Sequence, residues 1–99
     1  MMLNEQIRAL RVASGWNQVE FAKKMGVTKQ CVSNWENDNV LPSIEMLLKI
    51  AECFHVSTDF LLGRVSSVVL LADGLTPEQI GHVSLLISDL EKANKKKQD

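Results

Sequence analysis

Helix start and stop signals recur through the first sixty or so residues at intervals too short for anything but small, separate helices. Asn17 is followed three residues on by Glu20, the spacing of a reciprocal capping box. Thr28, Ser43 and Ser57 each precede a stretch with helical apolar periodicity, where a side-chain oxygen can accept from a first-turn N–H. Ser14-Gly15, Gly26 and Gly63 follow such stretches, where a glycine can supply the left-handed residue that ends a helix.

These signals predict five helices. The first runs over Leu3–Ala13 with Leu3, Ile7 and Leu10 on one face. The second opens at Asn17 and buries Phe21, Ala22 and Met25. The third is capped by Thr28 and ends near Asn37, and a turn-forming loop, Asn37–Pro42, follows. The fourth starts at Ser43 and turns Leu47, Ile50, Ala51 and Phe54 to the core; the fifth lies between Ser57 and Gly63.

Residues 64–99 read differently. Val65–Gly74 is β-branched and apolar, which predicts a strand-like segment. Thr76-Pro77-Glu78-Gln79 then opens a helix, with Thr76 as cap, Pro77 at the first position and Gln79 at the box position. Along it Ile80, Val83, Ile87 and Leu90 follow the 3-4-3 spacing of a coiled-coil seam, with Asn94 four further on. Lys95–Lys97 and the last residues read as a frayed, solvated end. The expected architecture is all-α: a five-helix domain over residues 1–63, and a C-terminal arm over 64–99 made of a strand-like segment and a helix.

Ninety-nine residues, 45% of them apolar and 23% charged, suit one globular domain with an appended arm. No apolar run approaches the roughly 20 residues that cross a bilayer, and the N-terminus lacks the apolar stretch of a signal peptide. A cytoplasmic protein with no membrane contact is therefore expected. Cys31 and Cys53 are too few for a disulfide framework, and Cys53 with His55 does not complete a tetrahedral metal site. Neither metal nor cofactor is expected. No Ser/His/Asp set, paired carboxylates or phosphate loop assembles, so the chain does not read as an enzyme.

The net charge of −1 excludes a general polycation. Residues 1–62 hold six Lys/Arg against seven Asp/Glu, and residues 63–99 hold five of each. Between Arg8 and Lys29, however, five basic residues face only Glu20. A nucleic-acid partner has to be read from that local excess.

The stretch "GVTKQCVSNWEN" (Gly26–Asn37) supplies a second pointer. Val32 and Trp35 anchor the helix to the core, which leaves Lys29, Gln30, Ser33, Asn34 and Asn37 on the outer arc. Carboxamides carry a donor and an acceptor on one plane and suit bidentate pairing with adenine in the major groove; Lys29 suits guanine or phosphate. No acid occupies the first two turns, where the helix dipole would favour one. A polyanionic partner accounts for that absence. The plainer alternative is an ordinary solvated face. Trp16 and Trp35 read as core residues, not as base-stacking platforms, and Met25 and Met46 as packing residues.

The ordered series "LRVASGWNQVEFAKKMGVTKQCVSNWENDNVLPSIEMLLKIAECFHVSTDFLLG" resembles the helix-turn-helix proteins of the phage repressor and Cro type, the XRE-like family with a lambda-repressor-like fold. The matching positions include Arg11, Gly15, Gln18, Ala22, Gly26-Val27, Val32, Glu36, Pro42, Leu47, Ile50-Ala51, Val56-Ser57 and Leu61-Leu62-Gly63. The resemblance covers about Leu3 to Gly63. It implies that Gln18 touches a phosphate or base at the edge of the groove. It also implies that Thr28, Lys29, Gln30 and Asn34 face double-stranded DNA from the third helix, with Ser33 beside them. Asn37 and Asn39 are implied to contact phosphate, and Asn17 to cap the second helix while bringing backbone N–H groups toward phosphate. Arg11 and Glu36 match an architectural ion pair. Where the family commonly has Gly, this chain has Asp38, which can enter left-handed geometry at modest cost.

One such unit reads only a few base pairs, and two copies on a two-fold axis read half-sites roughly 34 Å apart. Val68, Val69, Leu70 and Leu71 together with Ile80, Val83, Ile87 and Leu90 exceed what the five-helix core needs. The expectation is a homodimer through residues 65–94, acting as a transcriptional repressor on a palindromic operator. Two alternatives stand beside it. The arm could fold back on its own domain, or it could bind a different protein, as in the antitoxin of a toxin pair.

Overall fold

In the computed structural model, which describes residues 2–98, six helices follow one another: α1 (Leu3–Ala13), α2 (Gln18–Met25), α3 (Lys29–Glu36), α4 (Ile44–Phe54), α5 (Thr58–Leu61) and α6 (Pro77–Gln98). The side-chain caps read from the sequence are made. Asn17 and Glu20 exchange bonds of 2.7 and 3.0 Å, and Thr28, Ser43 and Ser57 each accept from the N–H three residues on, at 3.1, 3.2 and 3.0 Å. Thr76 and Gln79 form the second reciprocal box, at 3.0 and 3.2 Å.

One core holds the first five helices together. Ile7, Phe21, Val32, Ile50, Val56 and Leu61 are fully buried, so every element from α1 to α5, or the turn beside it, sends at least one side chain inward. Trp16, Phe21 and Phe54 form a triangle of rings, with Phe21 6.3 Å from Trp16 and 5.4 Å from Phe54, centroid to centroid, which closes one end. Trp35 is buried and Trp16 half-buried, as core residues should be.

Gly26 fixes the corner between α2 and α3. Its φ of 72° is left-handed, a geometry that costs an L-residue roughly 1–2 kcal/mol. The Lys49 ammonium of α4 donates to the adjoining Met25 carbonyl at 2.9 Å and ties the corner down. Asp38 enters left-handed geometry at φ 59°, as its type permits. His55 does so too, at φ 56°, and ends α4, a stop that carries no glycine signal.

One expectation for the arm is corrected. The segment 65–74 forms no strand, and none exists among the described residues. A strand needs a ladder partner; here the Leu71 N–H donates to the His55 carbonyl at 2.9 Å, a single tether to the end of α4. α6 continues through Lys95–Lys97 to Gln98, and the three lysines are exposed. Cations in the last turn complement the helix dipole and favour that continuation. No residue described in α6 is buried. No helix among the described residues is long and apolar enough to cross a membrane.

Candidate nucleic-acid interface

The exposed ridge of α3 exists because its opposite face is anchored. Val32 and Trp35 are 0% and 3% exposed. The helix spacing of three and four residues then leaves Lys29 and Gln30 exposed, with Asn34 and Ser33 half-exposed beside them. Asn37, the last residue of the ridge, and Asn39 in the loop are exposed.

The ridge is internally ordered. The Gln30 amide donates through Nε2 to Asn34 Oδ1 at 3.0 Å, and Asn37 donates through Nδ2 to Ser33 Oγ at 3.2 Å. Each bond uses one donor and one acceptor and leaves others free: Gln30 keeps its Oε1 and a second N–H, and Asn34 keeps its whole NH2 group. The Asn34 carbonyl accepts from Asn39 N at 2.9 Å and Val40 N at 3.3 Å, so the loop is pinned to the end of the ridge. Thr28 stands at the near end, its oxygen engaged as a cap and its hydroxyl proton free to donate.

Beneath the ridge lies the one buried charge among the described residues, Glu36. Its carboxylate accepts from Arg11 Nε at 2.6 Å and Arg11 Nη2 at 3.0 Å, a two-point contact, and from Arg8 Nε at 3.4 Å and Gln18 Nε2 at 3.2 Å. Arg11 also donates to the Trp16 carbonyl at 2.8 Å. Burial alone would push the Glu36 carboxyl up. The hydrogen bonds from Arg11, Gln18 and Arg8, with the Arg11 charge, outweigh it and hold the group below the usual carboxylate range. The same bond from Glu36 raises Arg11. This cluster locks α1, the start of α2 and the end of α3 into one frame.

The geometry refines two of the phosphate contacts implied at the start of α2. Gln18 is half-buried and turned toward Glu36, so it can meet a nucleic acid only with its Oε1 and its second N–H. The capping box consumes the Asn17 and Glu20 N–H groups, and Glu20 places a carboxylate at that helix start. The N–H groups of Gln18 and Val19 are the first-turn donors that remain without an acceptor in the helix. Arg8 was not among the predicted site residues, yet it sits beside the cluster with 55% of its side chain exposed. Its place in the basic stretch Arg8–Lys29 is the signal that could have marked it.

The eight arm positions are all exposed, between 39% for Val83 and 63% for Val69. Six of them, Val68, Leu70, Leu71, Ile80, Val83 and Ile87, line an open apolar hollow between the arm, the end of α4 and the first turns of α6.

The family model described as "HTH_3: Helix-turn-helix" matches residues 7–61. The HTH-type transcriptional regulator ImmR of Bacillus subtilis is 36% identical over 64 residues, which cover 65% of this chain and 50% of that protein. Among solved structures, the P22 c2 repressor in complex with a synthetic operator superposes with a TM-score of 0.59 at 32% identity, over 63% of this chain and 94% of that one. The master regulator for biofilm formation SinR, in complex with DNA, superposes with a TM-score of 0.56 at 33% identity, over 61% of this chain and 97% of that one. The chain spans about half the length of the first curated relatives it matches.

Proposed function

This chain belongs to the helix-turn-helix family, and from that premise we propose that it is a sequence-specific DNA-binding transcriptional regulator, a repressor that binds a palindromic operator as a homodimer. The mode of action is binding, not catalysis. α3 enters the major groove with Gln30 and Asn34 toward base edges and Lys29 toward guanine or phosphate. Thr28, Ser33, Asn37 and Asn39 line its flanks, while Asn17 and Gln18 meet the backbone from the start of α2.

One observation carries this reading: the carboxamides of Gln30 and Asn34 stand on the outside of a helix whose inner face is sealed by Val32 and Trp35. Operator-bound P22 c2 repressor and DNA-bound SinR, both above 30% identity, support it. With a net charge of −1 the chain has little long-range pull on DNA, so base contacts and the joining of two half-sites must supply much of the affinity.

The dimer is proposed to form through residues 65–94. The exposed apolar side chains of the arm support it, and the single hydrogen bond from Leu71 to His55 does not cover them. Selection of bound duplexes from a random library tests the function. A two-fold symmetric motif with half-sites about one helical turn apart is the expected outcome. A bound pool no different from the input would overturn the reading.

A further inference from the structure

A broad unpartnered apolar surface lies outside the DNA-reading helices. A hollow of about 490 Å3 opens at the C-terminal end of α4, against Phe54, His55 and Leu71. A second of about 390 Å3 continues it along Ile80 and Ile87 of α6. Leu70, Leu75 and Val83 wall both, so the two form one trough. His55 and Ser84 are its polar rim, and no charged side chain lines it.

The same chain carries a shape that fits this trough. At 100° per residue, Leu86 and Leu90 lie on the arc of α6 next to the trough wall of Val83 and Ile87. They are 57% and 55% exposed. A chain that displays both a ridge and a hollow can satisfy both at once by a two-fold operation, each ridge entering the other's hollow. The magnitude agrees. Twelve large apolar side chains between Val65 and Leu90 are 39–66% exposed. Together they offer apolar surface on the order of the roughly 800 Å2 that each partner contributes to a standard stable interface. An uncharged trough does not suit DNA or a charged peptide, and it suits the uncharged leucines of a second copy.

We propose that Leu86 and Leu90 of one copy seat in the trough of a second copy, against Phe54 and His55 as well as the arm. This rests on the homodimer proposed above and adds that the contact reaches into the DNA-reading domain. Phe54 lies 5.4 Å from Phe21 and 5.8 Å from Trp16, ring centroid to centroid, so the partner's leucines abut a side chain stacked on the core. The contact that joins the two copies thereby also sets how their two α3 helices face the duplex.

Photo-crosslinking of the full chain tests this. Benzoylphenylalanine replaces Leu86, and 14N and 15N copies are mixed, irradiated and mapped by mass spectrometry, with sedimentation on the same sample. Crosslinks between copies to residues 54–55 or 70–75 are expected. Leu86→Asp in parallel should weaken self-association at least about tenfold by forcing an unpaired charge into the trough, with the helical circular dichroism well below the unfolding temperature unchanged. Crosslinks only to the partner's α6, or only within one chain of a sedimenting dimer, overturn the trough contact and leave the dimer standing. A chain that sediments as a monomer overturns both.

Discussion

Glu36 of α3, its side chain wholly buried, holds the Arg11 guanidinium of α1 at 2.6 Å, and Arg8 and Gln18 share the same carboxylate. The ridge above this pair is therefore positioned by an ionic lock and not by apolar packing alone. Replacing Arg11 with alanine leaves the carboxylate buried with only the weaker Arg8 and Gln18 contacts. A destabilisation of about 3 kcal/mol is expected, the low end of what losing one partner of a buried pair costs. Urea unfolding of the two proteins measures it.

The lock also sets a pH dependence. The Glu36 carboxyl is lowered in the folded chain, so the folded state binds its proton less readily than the unfolded state. Its contribution is complete above the unfolded value of about 4.3 and is lost as pH falls through the lower folded value. Thermal unfolding from pH 7 to pH 2.5 should therefore show a decline below pH ~4.5 that Glu36→Gln flattens, at the expense of lower stability at pH 7.

Gly26 is left-handed and has room beside it, with only the Lys49 ammonium at 3.5 Å from an added Cβ. Gly26→Ala should accordingly cost the backbone term alone, roughly 1–2 kcal/mol. Loss of the fold altogether would mean that the corner is sterically closed, contrary to the contact distance.

Asp38 adopts φ 59° beside the exposed Asn37 and Asn39, where its charge opposes a phosphate. Asparagine tolerates the same backbone geometry without the charge. Asp38→Asn should leave stability within about 0.5 kcal/mol and tighten binding to any duplex at low salt. Fluorescence anisotropy across a salt series reads both the gain and its loss by screening.

Every buried side chain described lies between Ile7 and Leu61. A chain ending at Gly63 should therefore stay folded while losing self-association. Equilibrium sedimentation and circular dichroism test the two halves separately, and an unchanged dimer would remove the arm from the interface.

What was legible in the sequence follows from the range of each interaction. Asn17, Thr28, Ser43, Ser57 and Thr76 cap their helices through bonds to a residue three positions on, so short spacing alone identifies them. His55 stops α4 without glycine, held by N–H bonds to Ala51 and Glu52 carbonyls that composition does not announce. The β-branched run after Val65 has strand propensity, but propensity cannot supply a ladder partner. The pairing of Arg11 with Glu36 was readable only through family resemblance, because 25 residues separate them. The turn of Gln18 toward that pair was not readable at all: it depends on where α2 packs, which no local pattern encodes.

The central claim, that α3 reads base identity with its outer carboxamides, is tested most directly by one comparison. The affinities of the native chain and Gln30→Ala are measured by anisotropy on the selected operator and on a scrambled duplex of equal length and salt. A loss of roughly 1–3 kcal/mol on the operator, with the scrambled affinity unchanged, is the predicted result. An equal loss on both duplexes, or none on either, would contradict it.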